Sequence, residues 1–126
     1  MSSFKKYNAS LNKQISSKSE PKEIIYELLN GLNNRLAECV KNIENKKLDD
    51  AKRLAKKAQN IAFALRSSLD HENGGEIAKN LDYIYGHIQF ATDNLINNDK
   101  SDTINSAYYV STAIFDGWKG LVNKTA

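Results

Sequence analysis

Residues 65–85 read LRSSLDHENGGEIAKNLDYIY, and this stretch decides how the chain folds. An apolar helical pattern ends near Asp70, two consecutive glycines follow at Gly74 and Gly75, and a second helical pattern begins directly after them. Asparagine and glycine adopt backbone angles that most residues avoid, so Asn73 and the two glycines predict a tight turn. The stretch therefore predicts a hairpin of two helices.

The charged residues beside the glycines fit the same hairpin. We expect Asp70 to bind backbone amides of the connection, and Glu76 to lie near the positive end of the second helix, where its charge is favourable. Asp70, Gly74, Gly75 and Glu76 are thus predicted to shape the hairpin through geometry rather than to carry chemistry.

Apolar residues recur at steps of three and four along four segments after Pro21, which is the pattern of amphipathic helices. Short polar connections between the segments predict an all-α fold, an antiparallel up-and-down four-helix bundle. The four stripes are Ile25, Leu29, Leu32, Leu36, Cys39 and Ile43; Leu48, Ala51, Ala55, Ala58, Ala62, Leu65 and Leu69; Ile77, Leu81, Ile84, Ile88, Ala91 and Leu95; and Ile104, Ala107, Ser111, Ile114, Trp118 and Leu121.

The chain before the first helix is polar and rich in serine. We predict a mobile N-terminal segment over residues 1–19, the bundle over residues 20–122 and a short tail over residues 123–126. Tyr7 and two aliphatic residues, Leu11 and Ile15, are spaced to form one face of a helix, so this segment is predicted to act as a removable lid over the bundle.

Length, net charge and cysteine content limit the classes of protein to which the chain can belong. The chain has 126 residues, a net charge of +3 and a single cysteine, Cys39, which predicts one domain without an intrachain disulfide. No apolar run is long enough to insert into a membrane, and we expect a cytoplasmic protein. Four cations, Lys52, Arg53, Lys56 and Lys57, are predicted to lie on the solvated face of a helix rather than to bind nucleic acid.

Residues with catalytic chemistry are few. His71 and His87 are 16 positions apart and have no neighbouring ligand at metal-binding spacing, so no metal, cofactor or catalytic group is expected. Cys39 lies on a core stripe and is predicted to be a small apolar side chain. One alternative stays open, because Arg66 and His71 form the R-x4-H pattern of HEPN-like ribonucleases.

The helices carry more apolar residues than one stripe each requires. Tyr85, Phe90 and Ile96 lie beside the third stripe, and the fourth helix carries a second stripe that includes Tyr108 and Phe115. Such excess indicates an apolar track covered by the leader or by another protein. The alternative is that broad helices share one large core.

The residues of the hairpin form a specific pattern. The run from Leu65 to Leu81, with Tyr85 after it, resembles the signature of the flagellar secretion chaperone family (FliS type). Tyr7 in the leader, Ser19 with Pro21 at the first helix, and Trp118 near the end of the last helix match the family in order. The first helix departs from it, since residues 28–31 read LLNG where the family usually has leucine, tyrosine, aspartate and glycine.

The resemblance implies a non-enzymatic chaperone that binds the disordered C-terminal region of flagellin in the cytoplasm. It implies that the chaperone prevents premature polymerisation and delivers its client to the flagellar export apparatus, as a monomer or weak homodimer. An adaptor for a different protein client is the alternative. The predicted client-binding residues are Tyr7, Leu11, Ile15, Ile25, Leu29, Tyr85, Tyr108, Phe115 and Trp118.

Overall fold

The computed structural model describes residues 21–125 of the chain, with side chains described from 22 to 120. These residues form four helices: α1 Pro21–Glu44, α2 Leu48–Ser67, α3 His71–Asn98 and α4 Ile104–Thr125. Within this range there is no strand. Consecutive helices pack together and α4 packs back on α1, whereas the diagonal pairs in the described range make no close backbone approach. The predicted all-α four-helix bundle is confirmed, and its predicted leader, residues 1–19, lies outside the described residues.

Local sequence explains where the first two helices begin and end. Pro21 occupies the first position of α1, where a missing N–H costs nothing, and Glu23 lies in the same turn. α1 ends through Lys46, which adopts a left-handed φ of 60°, and the next residue, Lys47, donates its N–H to the Asn42 carbonyl over 2.8 Å. Asp49 and Asp50 then lie in the first turn of α2, where their negative charges interact favourably with the positive end of the helix dipole.

The connection between α2 and α3 is shorter than the sequence suggested. Only Ser68, Leu69 and Asp70 separate the two helices. Asp70 caps α3, because its Oδ1 accepts the backbone N–H of Asn73 at 3.1 Å and its Oδ2 accepts the Asn73 side-chain amide at 2.9 Å. These hydrogen bonds hold the pKa of the Asp70 carboxyl below its usual value.

The unusual backbone angle falls on one residue. Gly75 has φ 52° and ψ −130° inside α3, so the first turn, which starts at His71, meets the rest of the helix at a kink. Of the three residues that can adopt such angles, Gly75 alone does so, and Asn73 and Gly74 keep negative φ. Gly74 is needed for a different reason, since a Cβ there would lie 2.7 Å from the Cβ of Ala78.

Substituting Gly75 by alanine tests the kink. The position has open space around it, so the whole effect comes from forcing a residue with a Cβ into a positive φ. We expect a loss of about 1–3 kcal/mol in the free energy of unfolding. Gly117→Ala is the matched control, because Gly117 lies in α4 with open space and no positive φ, and alanine there should stabilise by roughly 0.5–1 kcal/mol. Urea unfolding of both variants measures the difference, and equal effects would contradict the strained kink.

The core is assembled from an alanine-rich helix and leucine-rich partners. Ala51, Ala55, Ala58 and Ala62 on α2 are fully buried, which brings α2 close to its neighbours. Larger side chains on the other helices fill the space between them: Leu29, Leu32, Leu36, Ile88, Leu95 and Ile104. Cys39 is buried among them and donates its thiol to the Ala51 carbonyl over 3.3 Å. Burial raises the pKa of this thiol to about 11. The buried position of Cys39 agrees with the prediction that it belongs to the core.

Candidate functional site

One end of the bundle holds an open apolar pocket of about 570 Å³. At this end α1 and α3 begin and α2 and α4 finish, so all four helices contribute to the walls. Its volume lies within the range of ligand-binding clefts in proteins. The lining residues are Lys22, Ile25, Leu29, Leu65, Ser68, Leu69, Asp70, Leu81, Tyr85, Ile114 and Trp118.

The apolar surface at this end includes more than the lining of the pocket. Of the four neighbouring pairs, α3 and α4 pack least closely. Ile77, one turn before Leu81 on α3, has 72% of its surface exposed. An aliphatic side chain this exposed beside an apolar pocket extends the apolar surface beyond the pocket itself. The apolar site at this end of the bundle is therefore taken as the pocket together with the exposed Ile77.

The wall of the pocket between α1 and α4 is held firmly. Trp118 on α4 donates its indole N–H to the carbonyl of Lys22 in the first turn of α1, over 3.0 Å. Near this contact the rings of Tyr26 and Phe115 pack with their centroids 5.3 Å apart. These contacts join the end of α4 to the start of α1, so the apolar site has one fixed wall and one loosely packed seam.

Polar groups at the pocket are few, and two of them already have partners. The Ser68 hydroxyl donates to the Leu65 carbonyl at 2.8 Å, and Asp70 is occupied by Asn73. Tyr85 is 3% exposed, and burial raises the pKa of its phenol to about 12. Within the described range no three His, Cys, Asp or Glu side chains lie close enough to hold a metal. The arrangement suits the binding of apolar side chains.

The structure places four of the predicted client-binding residues together. Ile25, Leu29, Tyr85 and Trp118 all line the pocket. Phe115 does not line it, because it is buried against Tyr26 between α1 and α4.

The other predicted residues lie elsewhere. Tyr108 is half-buried outside the pocket lining, and its carbonyl accepts the Thr112 hydroxyl at 3.0 Å. The remaining three, Tyr7, Leu11 and Ile15, fall outside the described residues.

Six other pocket residues were not predicted to bind anything: Lys22, Leu65, Ser68, Leu69, Leu81 and Ile114. Four of these belong to the apolar stripes and were assigned to the core. The signal that identifies them is position along the stripe, since in an antiparallel bundle the start of α1, the end of α2, the start of α3 and the end of α4 meet at the same end.

Apolar residues beyond the pocket are also exposed. Phe63, Tyr83, Phe90 and Tyr109 each expose more than half of their surface, which agrees with the predicted excess. Tyr85, however, is buried although the sequence placed it beside the stripe. Tyr83, Gly86 and Phe90 line a shallow surface groove on α3 next to Arg66.

Arg66 has a structural role in this fold. It crosses from α2 to α3, donating its Nε to Asp82 at 2.7 Å and its Nη1 to Gln89 at 2.9 Å. No hydrogen bond or ion pair joins it to His71 in the described part of the chain, so the R-x4-H pair is not linked in this structure. No helix in that part is both long and apolar enough to cross a membrane.

The fold and the site define a small helical bundle with an apolar pocket at one end. Comparisons with known proteins identify the family of the chain. The family described as "Flagellar protein FliS" matches residues 3–125. "Flagellar secretion chaperone FliSB" of Pseudomonas aeruginosa is 30% identical over 125 residues, covering 96% of each chain. No solved structure matches the chain. The chain belongs to the FliS family of flagellar proteins.

Proposed function

We propose that this chain is a cytoplasmic, non-enzymatic chaperone for flagellin. It binds the disordered C-terminal region of flagellin, prevents premature polymerisation and delivers the client to the flagellar export apparatus. Family membership and the relative named as a flagellar secretion chaperone support this proposal. The observation that carries it is the open apolar pocket of about 570 Å³ at the end of the bundle.

The physical properties of the pocket suit such a client. A segment that is unfolded when free loses conformational freedom on binding, so it needs a large apolar surface to compensate. The pocket and the exposed Ile77 beside it supply that surface along the loosely packed seam of α3 and α4. An amphipathic helix of the client would insert its apolar side chains between Leu81 on one side and Ile114 on the other.

The departure from the family pattern in α1 bears on the choice of client. Leu29 stands where the resemblance leads us to expect a tyrosine, and it is a buried part of the pocket wall. Leucine is smaller than tyrosine and has no hydroxyl. We therefore propose that the client of this chain places a larger apolar side chain next to Leu29 than clients of proteins with tyrosine would.

Fluorescence of Trp118 offers a direct test of the proposed function. Trp118 is the single tryptophan of the chain and lines the pocket. Titrating the full chain with a tryptophan-free peptide from the flagellin C-terminus should shift the emission to shorter wavelength and reach saturation. A peptide of the same composition in scrambled order is the control. If the emission does not change and calorimetry detects no binding, the proposal is wrong.

The predicted lid is a separate proposal with its own test. α1 begins at the pocket, so residues 1–20 connect to the bundle at this same end. Deleting residues 1–18 should change the affinity for the flagellin peptide. Without these residues, Tyr7, Leu11 and Ile15 can neither compete with the peptide for the pocket nor contact the bound peptide. Circular dichroism should show the bundle still helical. An affinity equal to that of the full chain would exclude the lid.

The two alternatives give different results. An adaptor for another protein would leave the Trp118 emission unchanged on addition of the flagellin peptide. A HEPN-like ribonuclease would cleave RNA, and His71→Ala would remove that activity. RNA that stays intact with both the wild type and the variant would reject the ribonuclease.

A further inference from the structure

The pocket contains one polar atom that makes no hydrogen bond with the described residues. Tyr85 is 3% exposed and lines the pocket, yet its hydroxyl makes no hydrogen bond with any described residue. Buried tyrosine hydroxyls normally find a partner. The only described side-chain N or O atom that is both fully buried and unpaired is Thr103 Oγ1. The Tyr85 hydroxyl therefore keeps some accessible surface, and the void that Tyr85 lines is the pocket.

We propose that the Tyr85 hydroxyl is a hydrogen-bonding subsite that selects a neutral polar side chain, Ser, Thr, Asn or Gln, on the bound segment. This inference rests on the proposed function, because it assigns the group that the flagellin segment places deepest in the pocket. The apolar side chains of that segment supply the burial, and this one hydrogen bond fixes which residue faces Tyr85.

The surroundings of the hydroxyl decide the chemistry of its partner. Most of the neighbouring side chains in the pocket are aliphatic, and the Ser68 hydroxyl already donates to Leu65. Lys22 and Asp70 are the charged residues of the lining. A carboxylate or ammonium group buried among the aliphatic side chains loses its solvation, which costs more than the burial of a neutral group. A neutral amide or hydroxyl loses less on burial, and its oxygen accepts a hydrogen bond from the phenol. Burial raises the pKa of the phenol to about 12, so the hydroxyl stays protonated and donates a hydrogen bond throughout the neutral range.

The subsite gives the pocket selectivity that apolar contacts alone do not provide. A site with a buried hydroxyl discriminates against a segment that presents only aliphatic groups, because the hydroxyl then loses its solvent and gains no partner. A net hydrogen bond of ordinary strength corresponds to about a tenfold change in affinity. The expected effect is therefore small compared with complete loss of the client, and it is specific to one position of the peptide.

Tyr85→Phe in the full chain tests the subsite by calorimetric titration with the flagellin C-terminal peptide. Affinity should fall about tenfold, while the thermal midpoint stays the same or rises, because the hydroxyl makes no hydrogen bond with a described residue that the substitution could remove. Tyr83→Phe is the matched control, since Tyr83 lies two residues away with 79% of its surface exposed, and its affinity should equal that of the wild type.

A set of peptides with each Ser, Thr, Asn or Gln replaced by alanine identifies the partner. One replacement should weaken binding to the wild type about tenfold and have no effect on Tyr85→Phe, which is the result of a double-mutant cycle for a direct pair. Unchanged affinity of Tyr85→Phe, or equal losses for every peptide in both proteins, would overturn the subsite and leave the proposed function standing. Failure of the wild type to bind the peptide would overturn both.

Discussion

Replacing Leu81 by glutamate should weaken binding of the flagellin peptide by at least about 100-fold. Leu81 is a half-buried wall residue of the pocket, on the side of the loosely packed seam. In the free protein the carboxylate reaches solvent through the open pocket, so the bundle should remain folded. A bound apolar segment would cover the charge without pairing it, at a cost of several kcal/mol, and about 3 kcal/mol corresponds to 100-fold.

Tyr83→Glu controls for the added charge. It places the same group two residues away on α3, at a position that is 79% exposed. We expect binding within a factor of about three of the wild type, because an exposed carboxylate is not desolvated. Trp118 fluorescence titration measures both variants, and circular dichroism verifies that each is helical. Equal loss in the two variants would show that the pocket is not where the segment binds.

Replacing Leu36 by alanine should produce the largest loss of stability in this set. Leu36 is fully buried at the middle of α1, in the core between the helices. Removing its side-chain carbons leaves a cavity, and such substitutions cost about 2–5 kcal/mol. Since the total stability of a domain is about 5–15 kcal/mol, a loss of about 3 kcal/mol would lower the thermal midpoint by roughly 10–15 °C.

Leu48→Ala removes the same atoms from the start of α2, where the side chain is 36% exposed. The expected cost is below about 1 kcal/mol, because little apolar surface is lost and alanine favours the helix. Differential scanning calorimetry of the two variants gives the comparison. A midpoint for Leu36→Ala within a few degrees of Leu48→Ala would mean that the core is not assembled as described.

Hydrophobic periodicity predicted most of the fold. The stripe from Ile25 to Ile43 lies in α1, and the alanine stripe of α2 is fully buried, because each helix has one face that only the bundle interior can cover. The sequence located the change in backbone direction only approximately, at Asn73, Gly74 and Gly75, and the structure has it at Gly75. Sequence shows that glycine is permissive there, but which of two adjacent glycines takes the positive φ depends on the cap of Asp70 and on the contact between Gly74 and Ala78.

The site was only partly predictable from the sequence. Ile25, Leu29, Tyr85 and Trp118 were identified through the resemblance and the apolar stripes, and they meet in the pocket. Phe115 shows the limit of periodicity, since a residue at a helix position between two faces can turn toward Tyr26 or toward the pocket, and packing decides the matter. The looser packing of α3 against α4 depends on helix spacing, which a one-dimensional pattern does not contain.

The central claim is that the open end of the bundle binds an apolar flagellin segment. Calorimetric titration of the full chain with the flagellin C-terminal peptide at several temperatures tests it most directly. Burial of the pocket and of the apolar face of the peptide predicts saturable binding with a large negative heat-capacity change. Binding with a heat-capacity change near zero, or no binding at any temperature, would contradict the account.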